Sequence, residues 1–168
     1  GPKLAGVDPL QGTLRWEVAV ATPRGANEVE RLSDLLAPIA RVGDVVCARA
    51  FQNAVGCVNA ERGTIVWTRK VGGNQGIAGD AQIVVGADGS DRITAWRMLD
   101  GEVAWTSEKL LYRELSAPLL VGRTAIFGDV EGIVHFLAKE DGKALLRLTT
   151  DGSPITTAPA LSDKTVLV

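Results

Sequence analysis

The residues whose types and spacing could support chemistry are two cysteines, one histidine, the pairs Asp88-Gly89 and Asp151-Gly152, and one glycine-rich run. His135 stands between Val134 and Phe136 in a predicted strand. A metal site or a histidine-based triad needs more partners than the sequence offers. We therefore predict that His135 is a structural residue whose hydrogen bonds are satisfied.

The glycine-containing segments favour turns over ligand sites. Asp88-Gly89 and Asp151-Gly152 are turn dipeptides, and neither belongs to a calcium-loop pattern. The run from Gly72 to Gly76 lacks the lysine and the following helix of a phosphate-binding loop. The sequence thus predicts no catalytic residue, no metal site and no cofactor.

Cys47 and Cys57 raise the question of a disulfide. A two-residue hairpin turn at Gln52-Asn53 would set Cys47 opposite Val58, and strand alternation would then send the two sulfurs to opposite faces. This register predicts free thiols, although a slip of one residue would reverse the conclusion.

Composition and charge narrow the functional classes. The 168 residues are 46% hydrophobic and 23% charged, which suits one globular domain with a sizeable core. Eighteen basic and twenty acidic residues give a net charge of -2 without a basic block, which argues against a nucleic-acid partner. Apolar runs are only a few residues long, so no membrane-spanning segment is predicted.

A repeated segment must position all of these residues. A turn closing on glycine leads into a strand that ends in tryptophan, at Gly12 and Trp16, Gly63 and Trp67, Gly101 and Trp105, and finally Gly142 and Leu146. The last residues of successive copies are 51, 38 and 41 residues apart. A period of about 40 residues with four strands per unit is typical of a β-propeller blade.

The predicted fold is all-β, a single partial propeller of four-stranded antiparallel blades. Each tryptophan lies on the outer strand, where a wide indole can cover the next blade and its N–H can find an acceptor. Trp96 stands outside this pattern and has no predicted role. The chain begins and ends within predicted strands, and we read it as an excerpt of a larger ring. The predicted units are two strands at 3–20, a loop at 21–36, blades at 37–76, 77–116 and 117–157, and two strands at 158–168.

The loop at 21–36 is the predicted binding segment. The first spacing exceeds the other two by 13 and 10 residues, and this surplus falls between Ala21 and Asp34. Extra length in one repeat forms a loop on one face, which is often the binding face. A solvated connector in which Asp34 only caps a turn is the alternative.

The spacing of Gly6, Asp8, Gly12 and Trp16 resembles the repeat of eight-bladed quinoprotein-type propellers, shared by PQQ-dependent dehydrogenases and the BamB family. Segments 28–34 and 110–118, and then 128–135 with 140–142, resemble BamB stretches in the same order. The resemblance covers roughly the C-terminal half of that family. It implies about four blades of an eight-bladed ring.

The BamB resemblance implies a non-catalytic scaffold in the outer-membrane protein assembly complex. Such a protein is lipid-anchored on the periplasmic face of the outer membrane, whereas this excerpt would itself be soluble. Its expected partners are the POTRA domains of BamA and unfolded outer-membrane proteins. The resemblance places an acidic contact residue at Asp34, and a second acidic position of the family is Leu36 here. The predicted partner-binding residues are Glu30, Arg31, Leu32, Ser33, Asp34 and Leu36.

Two alternatives stay open at this point. A fragment of a PQQ-dependent dehydrogenase would share the repeat, but the adjacent paired cysteines and the calcium-binding cluster of that family are not evident. Separately, two copies of the chain could associate to complete a ring of about eight blades, because open sheet edges favour pairing.

Overall fold

The computed structural model describes residues 2–21 and 34–168. These residues form sixteen β-strands joined by turns and connectors, without a helix among them, so the all-β prediction is confirmed. Every pair of neighbouring strands is antiparallel. Within the described ranges, no helix has the length and apolar character needed to cross a membrane.

The strands form five consecutive sheets, which we number as blades. Blade 1 contains β1 (Lys3–Val7) and β2 (Leu14–Ala19). Blade 2 contains β3 (Leu35–Val42), β4 (Val45–Ala50), β5 (Ala54–Asn59) and β6 (Thr64–Arg69). Blade 3 contains β7 (Ala78–Gly79), β8 (Ile83–Ala87), β9 (Ile93–Arg97) and β10 (Val103–Ser107).

Blades 4 and 5 complete the described chain. Blade 4 contains β11 (Leu119–Val121), β12 (Thr124–Gly128), β13 (Ile133–Ala138) and β14 (Ala144–Thr149). Blade 5 contains β15 (Ala160–Ser162) and β16 (Thr165–Leu167). Because β3 begins at Leu35, the last two residues of the predicted loop belong to a sheet.

The repeated turn before each outer strand has a simple local cause. In blade 2, Asn59 Oδ1 accepts hydrogen bonds from the N–H groups of Glu61 and Arg62 at 3.1 and 2.9 Å. The N–H of Gly63 then donates to the Asn59 carbonyl at 2.8 Å. Gly63 has a φ of 64°, a left-handed conformation that glycine adopts without steric cost.

The core lies in the seams between blades. Buried apolar residues of blades 2 and 3 form one cluster, and those of blades 3 and 4 form another. Trp96 belongs to the first of these and is 1% exposed, which explains the tryptophan outside the repeat pattern. A sheet with two apolar faces cannot bury both by itself, so each blade depends on its neighbours.

The tryptophans of the repeat connect one blade to the next. Trp67 Nε1 donates to the Met98 carbonyl of blade 3 at 2.8 Å, and its ring lies against the Gly101 turn. A Cβ on Gly101 would lie 2.5 Å from Trp67 Cδ2, so only glycine fits. Trp16 and Trp105 repeat this arrangement with Ala60 and Lys139 as acceptors and with the turns at Gly63 and Gly142.

The innermost strands β3, β7, β11 and β15 converge on a common axis. They surround a cavity of about 250 Å³ lined by residues such as Pro38, Pro118 and Pro159. Sheets that stack face to face around such an axis form a β-propeller, and the described chain is an arc of one.

The cysteine prediction is wrong. Cys47 and Cys57 pair directly across β4 and β5 and form a disulfide. The turn has three residues, 51–53, because Gln52 adopts a φ of 51° and Asn53 donates its N–H to the Ala50 carbonyl at 3.1 Å. This shifts the register by one residue relative to a turn at Gln52-Asn53, so both sulfurs lie on the same face.

Candidate partner-binding face

One face of the arc is built from two kinds of loop. The connectors that join one blade to the next lie against the turns between the second and third strands of each blade. Tyr112 N–H donates to the Ser90 carbonyl at 3.1 Å, and Ile155 N–H donates to the Asp129 carbonyl at 3.0 Å. Backbone hydrogen bonds thus hold the connectors in place, and we call this surface the connector face.

The predicted binding residues fall only partly within the described chain. Asp34 is exposed on the connector face, and its carbonyl accepts the Phe51 N–H at 2.8 Å. Leu36 is half-buried in β3 opposite Arg49. The other members of the predicted set, Glu30, Arg31, Leu32 and Ser33, lie outside the described residues.

A buried carboxylate organises the connector face at blade 4. Asp129 is fully buried and accepts hydrogen bonds from Arg113 Nε at 2.6 Å and from the Ile133 N–H at 2.9 Å. His135 Nε2 lies 2.8 Å from Asp129 Oδ2, which gives the sole histidine its partner. Arg113 also bonds Glu131 at 2.8 Å. This network joins the connector before blade 4 to the turn between β12 and β13 and to β13 itself.

The charge of Asp129 is stabilised despite its burial. Burial opposes ionisation, but hydrogen bonds from His135, the Ile133 N–H and Arg113 outweigh it and hold the pKa of Asp129 below its ordinary value. The sequence contained a signal for this residue. Asp88 precedes Asp129 by one repeat of 41 residues, and both accept N–H bonds from the residues two and four positions on.

A second buried charge was not predicted. Arg49 is 0% exposed and donates from Nη1 to the Gly72 carbonyl at 2.7 Å, while its Nε and Nη2 have no partner among the described residues. Burial lowers the pKa of Arg49 to about 10, partly offset by the charge of Asp88. A Cβ on Gly86 would lie 2.8 Å from Nη2, so this arginine passes between closely spaced backbones. The glycine-rich run therefore packs around a cation in the fold.

An acidic cavity of about 260 Å³ opens near the connectors, lined in part by Asp88, Asp91 and Glu114. Asp91 uses both carboxylate oxygens to accept the N–H groups of Glu114 and Leu115, at 2.8 and 3.0 Å. It therefore fixes the connector. Among the residues that the structure describes, no group of three or more His, Cys, Asp or Glu is arranged to hold a metal ion. The connector face offers a hydrogen-bonded surface for recognition.

Comparison with known proteins identifies relatives of the whole arc. The sequence profile of a family described as "Outer membrane protein assembly factor BamB" matches residues 1–107. The protein of that name from Burkholderia pseudomallei is 36% identical over 168 residues, covering 100% of this chain and 44% of the relative. The chain thus spans less than half the length of this curated relative.

Solved structures agree on the fold. The crystal structure of BamB from Moraxella catarrhalis matches with a TM-score of 0.84 at 22% identity, covering 96% of this chain and 48% of that one. A quinohemoprotein alcohol dehydrogenase from Comamonas testosteroni matches with a TM-score of 0.57 at 17% identity, over 68% of this chain and 21% of that one. At such identities the likeness concerns the propeller fold alone.

Proposed function

The chain belongs to the BamB family of outer membrane protein assembly factors, and from this premise we propose that it is a non-catalytic scaffold in an outer-membrane protein assembly complex. The observation that carries the proposal is the match to that family along the full chain, at 36% identity to the Burkholderia pseudomallei protein. The partner in this proposal is the set of POTRA domains of BamA, with unfolded outer-membrane proteins as the cargo.

The disulfide supports the location in this proposal, the periplasmic face of the outer membrane. Disulfides persist in oxidising compartments such as the periplasm and are rare in the cytosol. The Cys47–Cys57 bond lies between two strands of one blade, and neither cysteine is exposed.

The proposed contact is the connector at 21–36, and Asp34 is the charged residue in it that we expect to meet the partner. Two observations support this assignment. Asp34 is exposed, and its backbone is held by the Phe51 N–H, so its carboxylate projects from an anchored position. A charge presented in this way increases the rate of association with an oppositely charged partner and the specificity for it.

The test is a binding measurement with purified BamA POTRA domains immobilised on a biosensor. We expect Asp34→Arg to weaken binding by about tenfold, because it reverses a charge that faces the partner. Asp44→Arg is the matched control, since it makes the same charge change at an exposed turn of blade 2 away from the connectors. Both variants should keep the melting temperature. Equal affinity of the two variants, or no binding by the unaltered chain, would contradict the proposal.

The dehydrogenase alternative predicts a different measurement. A PQQ enzyme would develop cofactor absorbance and reduce a dye after incubation with PQQ and Ca²⁺. Clear dye reduction by the chain would overturn the scaffold proposal.

A further inference from the structure

A groove runs along the outer part of the seam between blades 3 and 4. It lies between the connector that follows β10 and the outer strands β13 and β14, and its volume is about 430 Å³. Its walls combine aliphatic and cationic side chains, chiefly Leu110, Leu137, Leu145, Lys109, Arg113 and Arg147. Both blades are complete, four-stranded sheets in this chain, so the groove belongs to a finished seam.

The seams on either side of blade 3 differ at one position of the repeat. In the seam between blades 2 and 3, Arg69 crosses the gap and donates to the carbonyls of Gly101 and Asp100 at 2.7 and 2.9 Å. Arg69 follows Trp67 by two residues. The residue two positions after Trp105 is Ser107, whose side chain is too short to span the same gap. Ser107 therefore cannot make the cross-blade hydrogen bonds that Arg69 makes.

Some cationic side chains of the groove have no acidic partner among the described residues of the chain. Arg113 is already paired with Asp129 and Glu131. Lys109 and Arg147 are exposed and form no salt bridge among residues 34–168. The charge of Lys109 reaches Asp141, but that carboxylate bonds Lys143 at 2.7 Å. The open groove thus presents two available cations beside aliphatic walls.

The strand that forms one wall adds a backbone. β14 is the last strand of its sheet, so one row of its N–H and C=O groups faces away from β13. Such an edge can pair with an extended segment of another chain, and pockets beside the edge then select alternate side chains.

We propose that this groove binds an extended polypeptide segment in which acidic and large apolar residues alternate. The carboxylates of the segment pair with Lys109 and Arg147, while its apolar side chains contact Leu110, Leu137 and Leu145. The volume lies within the usual range of ligand pockets. This site is separate from the connector at 21–36 and goes beyond the proposed function.

The test uses fluorescence anisotropy with a fluorescein-labelled peptide of alternating glutamate and leucine. We expect it to bind at least about tenfold more tightly than a lysine–leucine peptide or a glutamate–serine peptide. Binding should weaken as salt is raised from about 50 to about 300 mM, because the two cations are solvent-exposed. Equal binding of the lysine–leucine peptide would overturn the proposal.

Two variants address the groove directly. The double variant Lys109→Glu and Arg147→Glu should lose at least about tenfold in affinity. Its control, Arg123→Glu with Lys164→Glu, makes the same net charge change at exposed turns outside the groove and should bind normally. Leu145→Glu should also weaken binding, because it places a carboxylate on the groove wall where it repels the glutamates of the peptide. If that variant fails to fold, the double variant still decides the question, since both of its positions are exposed.

Three further outcomes complete the test. Equal loss in the control pair would show non-specific charge attraction and overturn the site. Light scattering that detects a dimer lost in the double variant would make a second copy the occupant and also overturn it. Asp34→Arg should leave peptide binding unchanged, so failure of this site and failure of the proposed BamA contact are distinguishable.

Discussion

The seams on either side of blade 3 share one joint, the contact of a tryptophan with a glycine turn, but differ in the side chains around it. In both, an indole covers a left-handed glycine turn of the next blade and donates to a backbone carbonyl, at 2.8 Å from Trp67 and 2.7 Å from Trp105. They differ two residues further on, where Arg69 bonds the next blade and Ser107 stands at the equivalent position. The repeat thus builds the joint, while a variable position decides whether a further side chain bonds across the seam.

The interiors of the two seams differ as well. The seam between blades 2 and 3 contains the disulfide and Trp96, whereas the seam between blades 3 and 4 contains aliphatic residues and Phe127. The second seam is crossed by a salt bridge from Lys139 to Asp80 at 2.7 Å. Equivalent joints therefore tolerate different cores, provided that the tryptophan and the glycine stay in place.

Removal of either tryptophan should give the largest effect on this comparison. We expect Trp67→Ala and Trp105→Ala each to lower the free energy of unfolding by about 3–5 kcal/mol, because each removes a buried indole from its seam. Urea denaturation measures the loss. Leu99→Ala is the control, since Leu99 is 83% exposed and its truncation should cost less than about 0.5 kcal/mol. A loss below about 1 kcal/mol for either tryptophan would contradict the shared joint.

Asp129 and Asp88 occupy equivalent turns of blades 4 and 3. Their substitution compares a buried carboxylate with a partly exposed one. We expect Asp129→Asn to destabilise the chain by about 3 kcal/mol at pH 7, because it breaks a buried ion pair. Asp88→Asn should cost only about 1 kcal/mol, since Asp88 is partly exposed and its Arg92 contact is 3.9 Å long.

The pH dependence of this difference has a definite sign. Because the folded pKa of Asp129 is depressed, its contribution is present above the unfolded value near 4 and is lost as pH falls through the folded pKa. The stability gap between Asp129→Asn and the unaltered chain should therefore hold between about pH 5 and 7 and shrink below about pH 4. Denaturation curves at several pH values measure it, and a gap that widens in acid would contradict the assignment.

Substitution of Arg69 should have a smaller effect than substitution of Trp67, Trp105 or Asp129. We expect Arg69→Ser to cost about 1–2 kcal/mol, because it removes three hydrogen bonds from a half-buried side chain to backbone carbonyls, two of them across the seam. Arg123→Ser, at an 83% exposed side chain, should cost less than about 0.5 kcal/mol. Thermal denaturation of the pair measures the difference. Equal stability of the two variants would show that the hydrogen bonds of Arg69 across the seam do not contribute to the free energy of unfolding.

The sequence predicted the blades because their signals are local. The glycine turn, the β-branched strand after it and the tryptophan fall within ten residues of one another, and the period of the repeat supplies the stacking. The predicted turns that close on Gly12, Gly63, Gly101 and Gly142 all place that glycine at a positive φ. Because these segments recur with a regular period, the sequence was sufficient to locate them.

The register of the β4–β5 hairpin could not be predicted from such local patterns. It depended on whether Gln52 would adopt a left-handed conformation, and a difference of one residue reversed the prediction for both cysteines. Arg49 and the Arg113–Asp129 pair were missed because their partners lie on different connectors, 23 and 16 residues away in sequence. Such contacts depend on how blades and loops assemble, which local patterns do not specify.

The burial of the disulfide has a kinetic consequence. Cys47 and Cys57 are both 0% exposed, and the Cys47 sulfur lies 3.7 Å from the sulfur of Met98 in the neighbouring blade. A dissolved reductant can reach neither sulfur until the two blades separate or the hairpin opens. When cleavage is slow relative to reclosing, its rate follows the population of that transient state. Reduction by a dilute thiol would thus report, without any added label, how often the centre of the molecule comes apart.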